Sequence, residues 1–171
     1  MGFWQKIKRM ARHRWVDESD SQRAVPPAMA ERLRRRVAAS EHRHTGEVRI
    51  CVEAGLPLSY LWRAASARER AIAQFGKLRV WDTEHNNGAL IYLLLADRAI
   101  EIVADRGLNS VVSPAQWTEM VQRLSAALRA GNFEDGLTQA LGEVSAVLVQ
   151  HFPADGSNPN PNELDDRPVL N

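Results

Sequence analysis

The stretch Val80 to Leu108, VWDTEHNNGALIYLLLADRAIEIVADRGL, decides the fold. A polar loop, Asp82 to Gly88, leads into an unbroken apolar run from Ala89 to Ala96. A segment apolar at every position is buried on both faces, which marks a central strand covered by helices on each side. Asp97-Arg98 then makes a tight turn, and Ile100 to Ala104 alternates as a returning antiparallel strand. The pairing carries the chain back to the edge it left. Asp105-Arg106-Gly107 therefore arrives beside the Asp82–Gly88 loop.

Upstream, Thr45-Gly46 introduces another strand, Glu47 to Glu53, in which Val48, Ile50 and Val52 alternate with Arg49, Cys51 and Glu53. The connection from Ala54 to Gly88 contains a helix opened by a capping box, Ser66 with Glu69. A link of that length with a helix inside it joins parallel strands. Pro26-Pro27 starts a helix with a stripe of Met29, Leu33 and Val37, and Arg32, Arg34, Arg35 and Arg36 fall on its solvated sides. Ser113-Pro114-Ala115-Gln116 is a further helix start, and a last helix runs from about Glu134 to His151. The order of elements predicts an α/β fold: a three-layer α/β/α sandwich with a small mixed sheet and a central strand at 89–96.

Three regions follow from composition. Residues 1–23 form a basic amphipathic segment and linker, 24–152 the α/β domain, and 153–171 a polar tail expected to be disordered. Within the first 14 residues, Lys6, Lys8, Arg9, Arg12 and Arg14 stand without an acid, while Phe3, Trp4, Ile7, Met10 and Trp15 recur at helical spacing. Such a helix either docks its apolar face on the domain or lies on an anionic membrane surface. The overall net charge of +1 supplies no field for nucleic acid, and no nucleic-acid partner is expected. The single cysteine, Cys51, excludes an internal disulfide and reads as a buried, inert thiol. With no transmembrane run and no secretory signal, a cytoplasmic location is expected, peripheral to the inner face of the membrane if residues 1–15 bind lipid.

Parallel strands 47–53 and 89–96 start at one edge of the sheet, and strand 100–104 ends there. The edge thus gathers three segments, 42–47, 82–88 and 105–109. Glu47, Asp82, Glu84 and Asp105 are its candidate metal ligands, with His42, His44, His85, Asn86, Asn87 and Arg106 as further site residues. Carboxylates with amide oxygens suit Ca²⁺ or Mg²⁺, and histidines beside them would admit Zn²⁺ or Mn²⁺. The alternative is purely structural: polar loops whose Asn and Asp side chains hold turns and caps. No phosphate-binding glycine loop, nucleophile motif or CxxC pair is present.

Thr45-Gly46-Glu47, Asn86-Asn87-Gly88-Ala89-Leu90, Asp97-Arg98, Gly107-Leu108 and Phe133-Glu134-Asp135-Gly136 together resemble the TPM-domain family. The likeness runs from about Pro27 to Phe152. It departs from the family pattern at Asn86, where relatives carry Asp, and at Asp105-Arg106, where relatives carry Gly-Tyr. The resemblance implies a three-layer α/β/α sandwich, divalent-cation binding through loop acids in some members, and acid phosphatase activity in plant members. Without an identifiable nucleophile, the reading here is a non-catalytic or accessory domain acting through a protein or membrane partner, with a metal-dependent acid phosphatase as the alternative.

Overall fold

The computed structural model describes residues 3–154 and 164–171, except for the side chain of Phe3. Helices α1 (Phe3–Arg14), α2 (Glu18–Ala24) and α3 (Pro27–Glu41) precede strand β1 (Val48–Glu53). Then come α4 (Leu58–Trp62), α5 (Ala67–Lys77), β2 (Ala89–Leu94) and β3 (Ala99–Ala104). The chain continues through α6 (Arg106–Val111), α7 (Pro114–Arg129) and α8 (Phe133–His151), and ends in β4 (Val169–Leu170).

The sheet order is β3-β2-β1-β4. Strands β1 and β2 are parallel with Val48 opposite Ala89, and β2 and β3 are antiparallel with Ala89 opposite Ala104. Every residue of β2 is buried, as its continuous apolar character requires. Odd and even positions of β1 serve different layers. Val48, Ile50 and Val52 pack with Ile91 and Leu93 against Leu33 and Val37 of α3, Leu124 of α7 and Leu141 and Leu148 of α8. Cys51 packs with Leu90, Tyr92 and Leu94 against Leu61 of α4 and Ala71 of α5. The three layers expected from the sequence are present.

Helix starts follow their local chemistry. Ser66 and Ser113 each accept from the backbone of the third helical residue, and Glu69 and Gln116 return the bond, closing both capping boxes. Three helices arise where the sequence reading placed none, and one of them is α4 in the stretch after β1. Asp17 and Asp20 make a capping box that opens α2, so the polar connector is helical. Asp105 accepts from Arg106 N at 2.7 Å and starts α6, where a simple turn was expected.

The largest correction concerns the tail. Residues 164–171 are ordered against the sheet: β4 runs parallel to β1, Asn171 N donates to Val52 O at 3.0 Å, and Ala54 N donates to Asn171 O at 2.8 Å. The open edge of β1 has unpaired backbone groups, and a short apolar segment satisfies them where its low overall hydrophobicity forecast disorder. Pro153 bridges to His44. The part of that forecast covering 155–163 lies outside the described residues.

Residues 3–23 pack against the domain as well. Helix α1 docks, but by its polar side. Arg9 and His13 are buried, whereas Trp4, Ile7 and Trp15 are exposed at 73%, 41% and 89%. Met10 alone of the described apolar stripe packs on the core. Asp97 in the β2–β3 turn explains the inversion, since it binds Arg9, Arg12 and His13 together.

Candidate functional site

The edge where β1 and β2 start assembles the three expected segments. Ala89 N donates to Glu47 O at 2.8 Å, Asp105 N to Gly88 O at 2.9 Å, and Gly107 N to Asn86 O at 2.8 Å. These bonds continue the strand register, so Glu47, Gly88 and Asp105 form one row across three strands. By alternation Glu47 and Asp105 project toward the α5 layer, with Cα atoms roughly 10 Å apart, two strand spacings. Between them Gly88 is obligatory. A Cβ there would collide with the carbonyl oxygen of Val80, which folds over this row. Gly107 is held to the same loop, because a Cβ on it would lie 2.6 Å from Asn86 O and 2.7 Å from His85 O.

Glu47 is buried, and Asp105 is 9% exposed. One oxygen of Asp105 caps α6, and Oδ2 is buried without a hydrogen-bond partner. Asn86 sits at a left-handed φ of 51°, and its Oδ1 accepts from Arg106 Nη2 at 3.1 Å. Asn87 is fully buried: its N donates to Thr83 Oγ1 at 3.0 Å and its Nδ2 to Thr45 Oγ1 at 3.2 Å, while Oδ1 has no partner. These amides lock the loop to its neighbours.

The other sequence candidates are not drawn into the row. Asp82 is paired with Arg79, three residues earlier. Glu84, His85 and His42 are exposed, and His42 ends α3. His44 is fully buried, with Nδ1 3.0 Å from Gly46 O, and burial pushes its pKa down to about 4. It is a neutral imidazole that donates to the loop preceding β1. Among the described residues, no group of three or more His, Cys, Asp or Glu side chains is arranged to hold a metal ion.

Several groups that matter here escaped the sequence reading. Glu41, at the end of α3, is 4% exposed and accepts from Val48 N at 3.3 Å, so it caps the edge of β1 below β4. Burial, with the charges of Glu47 and Asp166 nearby, raises its pKa to about 9. It is a protonated carboxyl at neutral pH. The sequence reading named no role for it, and the tail that brings Asp166 near it lies far along the chain. At the opposite, carboxyl end of β1, Glu53 receives Arg70 at 2.6 and 2.9 Å, Gln74 at 2.6 Å and Tyr92 at 2.6 Å. Burial and the adjacent carboxylate raise the Tyr92 phenol well above its ordinary range. Both oxygens of Glu53 are occupied by donors from α5 and β2, which ties those elements together.

Arg49 lies next to Glu47 on the same face of β1 and is 7% exposed. It lines a polar cleft of about 420 Å³ with Leu78, Arg79, Asp82, Leu164 and Asp165. A second, more apolar cleft of about 580 Å³ opens at the other end of the sheet, between Ala24, Leu95, Arg98, Leu128, Arg129 and Phe133.

Known proteins share this architecture. The BA42 protein of the psychrophilic bacterium Bizionia argentinensis superposes with a TM-score of 0.73 at 23% identity, covering 85% of this chain and 94% of that one. The N-terminal domain of a P. gingivalis protein gives a TM-score of 0.62 at 19% identity, covering 82% and 94%. No curated relative matches the chain. The TPM domain matches residues 19–147, which span α2 through most of α8 and hold the whole row of Glu47, Gly88 and Asp105. The chain belongs to the TPM-domain family.

Proposed function

We propose that the protein is an accessory, non-catalytic TPM domain that attaches to an anionic membrane surface through α1. The observation that carries this reading is the inverted docking of α1. Its polar residues Arg9 and His13 are spent inward, and Trp4, Ile7 and Trp15 are left exposed beside Lys6, Lys8 and Arg14. Helix α4, which packs against α1, leaves Leu58 and Trp62 exposed at 60% and 75%. Indole rings with neighbouring cations suit the lipid headgroup boundary, where each basic residue contributes about 1 kcal/mol. No helix among the described residues is long and apolar enough to cross a membrane.

Vesicle sedimentation tests the reading. The full chain is expected to leave the supernatant with phosphatidylserine-containing vesicles, to stay with neutral ones, and to be released by high salt. A Trp4→Ala, Trp15→Ala double variant should remain in solution throughout. Equal sedimentation of that variant, or none by the wild type, overturns it.

A divalent cation beside Glu47 and Asp105 is the finer part of the proposal, and the buried, unpartnered Asp105 Oδ2 is what supports it. Val80 O and the two carboxylates are hard oxygen donors suited to Ca²⁺ or Mg²⁺. A melting temperature that rises with millimolar Ca²⁺ in the wild type and not in Asp105→Asn is the expected result. The phosphatase alternative requires hydrolysis of a chromogenic phosphate that depends on the added metal and on Asp105.

A further inference from the structure

Arg49 is a buried, charged side chain with two guanidinium nitrogens left without hydrogen-bond partners. It stands in β1 among buried neighbours, yet Nε and Nη1 are both buried and have no partner. Along the same face of the strand its neighbours are the buried Glu47 and Cys51, a thiol that burial raises to about 12 and that offers no negative charge. A buried guanidinium with open donors is costly to maintain, and it is retained where something outside the fold completes it. The space for that partner is present, since Arg49 lines the 420 Å³ cleft between the end of α5 and the C-terminal segment.

We propose that this cleft is a binding site for a small oxyanion, a carboxylate or phosphate group, held by the Arg49 guanidinium. The planar fork of Arg matches two oxygens of either group. The other charged groups on the walls set the selectivity. Arg79 is committed to Asp82 and contributes little net field. Asp165 lines the cleft, and its Oδ1 accepts from Arg167 N at 3.0 Å. Its negative charge still faces the cleft and weakens any anion there. Leu78 and Leu164 give the cleft apolar walls, which favour a ligand with a short carbon skeleton behind the anionic group. The site lies apart from α1 and does not depend on membrane attachment.

The test uses the full chain with inorganic phosphate and with acetate, each against chloride at constant ionic strength. Thermal melting and amide chemical-shift mapping are read together. The wild type should melt higher as one oxyanion is added, with shifts confined to 49–51, 78–82 and 164–167. Arg49→Gln should weaken the apparent affinity about tenfold or more, Asp165→Asn should strengthen it, and Arg98→Gln at the far end of the sheet should leave it unchanged. Whichever anion acts identifies the ligand class. No response to either anion, an undiminished response in Arg49→Gln, or shifts located elsewhere would overturn the proposal. If Arg49→Gln fails to fold, the wild-type shift map and the Asp165→Asn affinity decide.

Discussion

Arg9 and Asp97 are 88 positions apart, yet Arg9 donates to Asp97 Oδ2 from Nε at 3.0 Å and from Nη2 at 2.8 Å. Arg12 Nη2 binds the other oxygen at 2.6 Å, and His13 Nε2 lies 3.0 Å from it. His13 Nδ1 accepts from Leu56 N at 2.9 Å, so the imidazole links α1 both to the β2–β3 turn and to the segment after β1. Burial lowers the His13 pKa even against the pull of Asp97, and because Nδ1 accepts from Leu56 N, the ring's proton sits on Nε2, the nitrogen near the carboxylate. Asp97 is raised by burial, but the bonds from Arg9 and His13 more than offset this and hold it below the usual carboxylate range.

Asp97→Ala should therefore release α1 from the domain. It removes the hydrogen-bond acceptor of Arg9 and Arg12 and the carboxylate beside His13, and leaves Arg9 buried and unpaired, a loss of about 2–4 kcal/mol. Amide hydrogen exchange over 3–14 should accelerate while β2 remains protected. Because the Asp97 pKa is depressed, its stabilisation is present above the unfolded value and fades as pH falls through the folded one. Unchanged exchange in α1 would show that Met10 and the helix backbone dock it unaided.

Deleting residues 164–171 should destabilise the domain by about 3 kcal/mol. The deletion removes the partly buried Leu164, Val169 and Leu170, together with backbone bonds worth about 1 kcal/mol each. It also opens the edge of β1, so a concentration-dependent association of the truncated chain is expected in light scattering. Denaturant unfolding of full-length and truncated protein measures both effects.

The periodic elements were legible because burial is local to their own pattern. The apolar run of β2 and the serine caps of α5 and α7 are determined by residues within a few positions. The tail was not legible: Val169 and Leu170 have no periodicity, and their order comes from the unpaired edge of a strand more than a hundred residues earlier. Helix α1 misled for a related reason. Its apolar stripe reads as a docking face, but Asp97 claims the basic side, and nothing near residues 3–14 announces that acid. At the site, the meeting of three segments was readable from topology, and Glu47 and Asp105 fell on one row. Asp82 did not join them, since Arg79 at a spacing of three competes for it. Arg49 was hidden in an alternating strand, where a charged residue reads as solvent-facing until α5 and the tail are seen to cover that face.

Leu93→Ala should cost about 2–5 kcal/mol through lost transfer energy and a cavity. Leu93 is 1% exposed in the central strand and packs with the α3 and α8 layer. Gly88→Ala should be comparably damaging for the opposite reason, because its Cβ has no room beneath Val80 O. Equilibrium unfolding in urea distinguishes the two. The cavity variant should keep the wild-type slope, and the Gly88 variant should lose loop protection in hydrogen exchange over 80–88.

The pH dependence of stability should be set by Glu41 and His44 acting in opposite directions. Glu41 has a folded pKa of about 9 against about 4.5 for an ordinary glutamate, so the folded state holds a proton that the unfolded chain has lost. Its contribution is complete below about pH 4.5 and is lost as pH rises toward 9. His44 has a folded pKa of about 4 against 6.5, so the unfolded chain takes the extra proton. Its contribution is present above 6.5 and is lost as pH falls toward 4. Glu41→Gln keeps an acceptor for Val48 N without an ionisable group. At pH 8 it should exceed the wild type in stability by about 2–4 kcal/mol, and at pH 5 it should nearly match it. Urea unfolding at the two pH values reads the difference directly. A variant less stable than wild type at pH 8 would mean that Glu41 is ionised in the fold, held so by a positive partner.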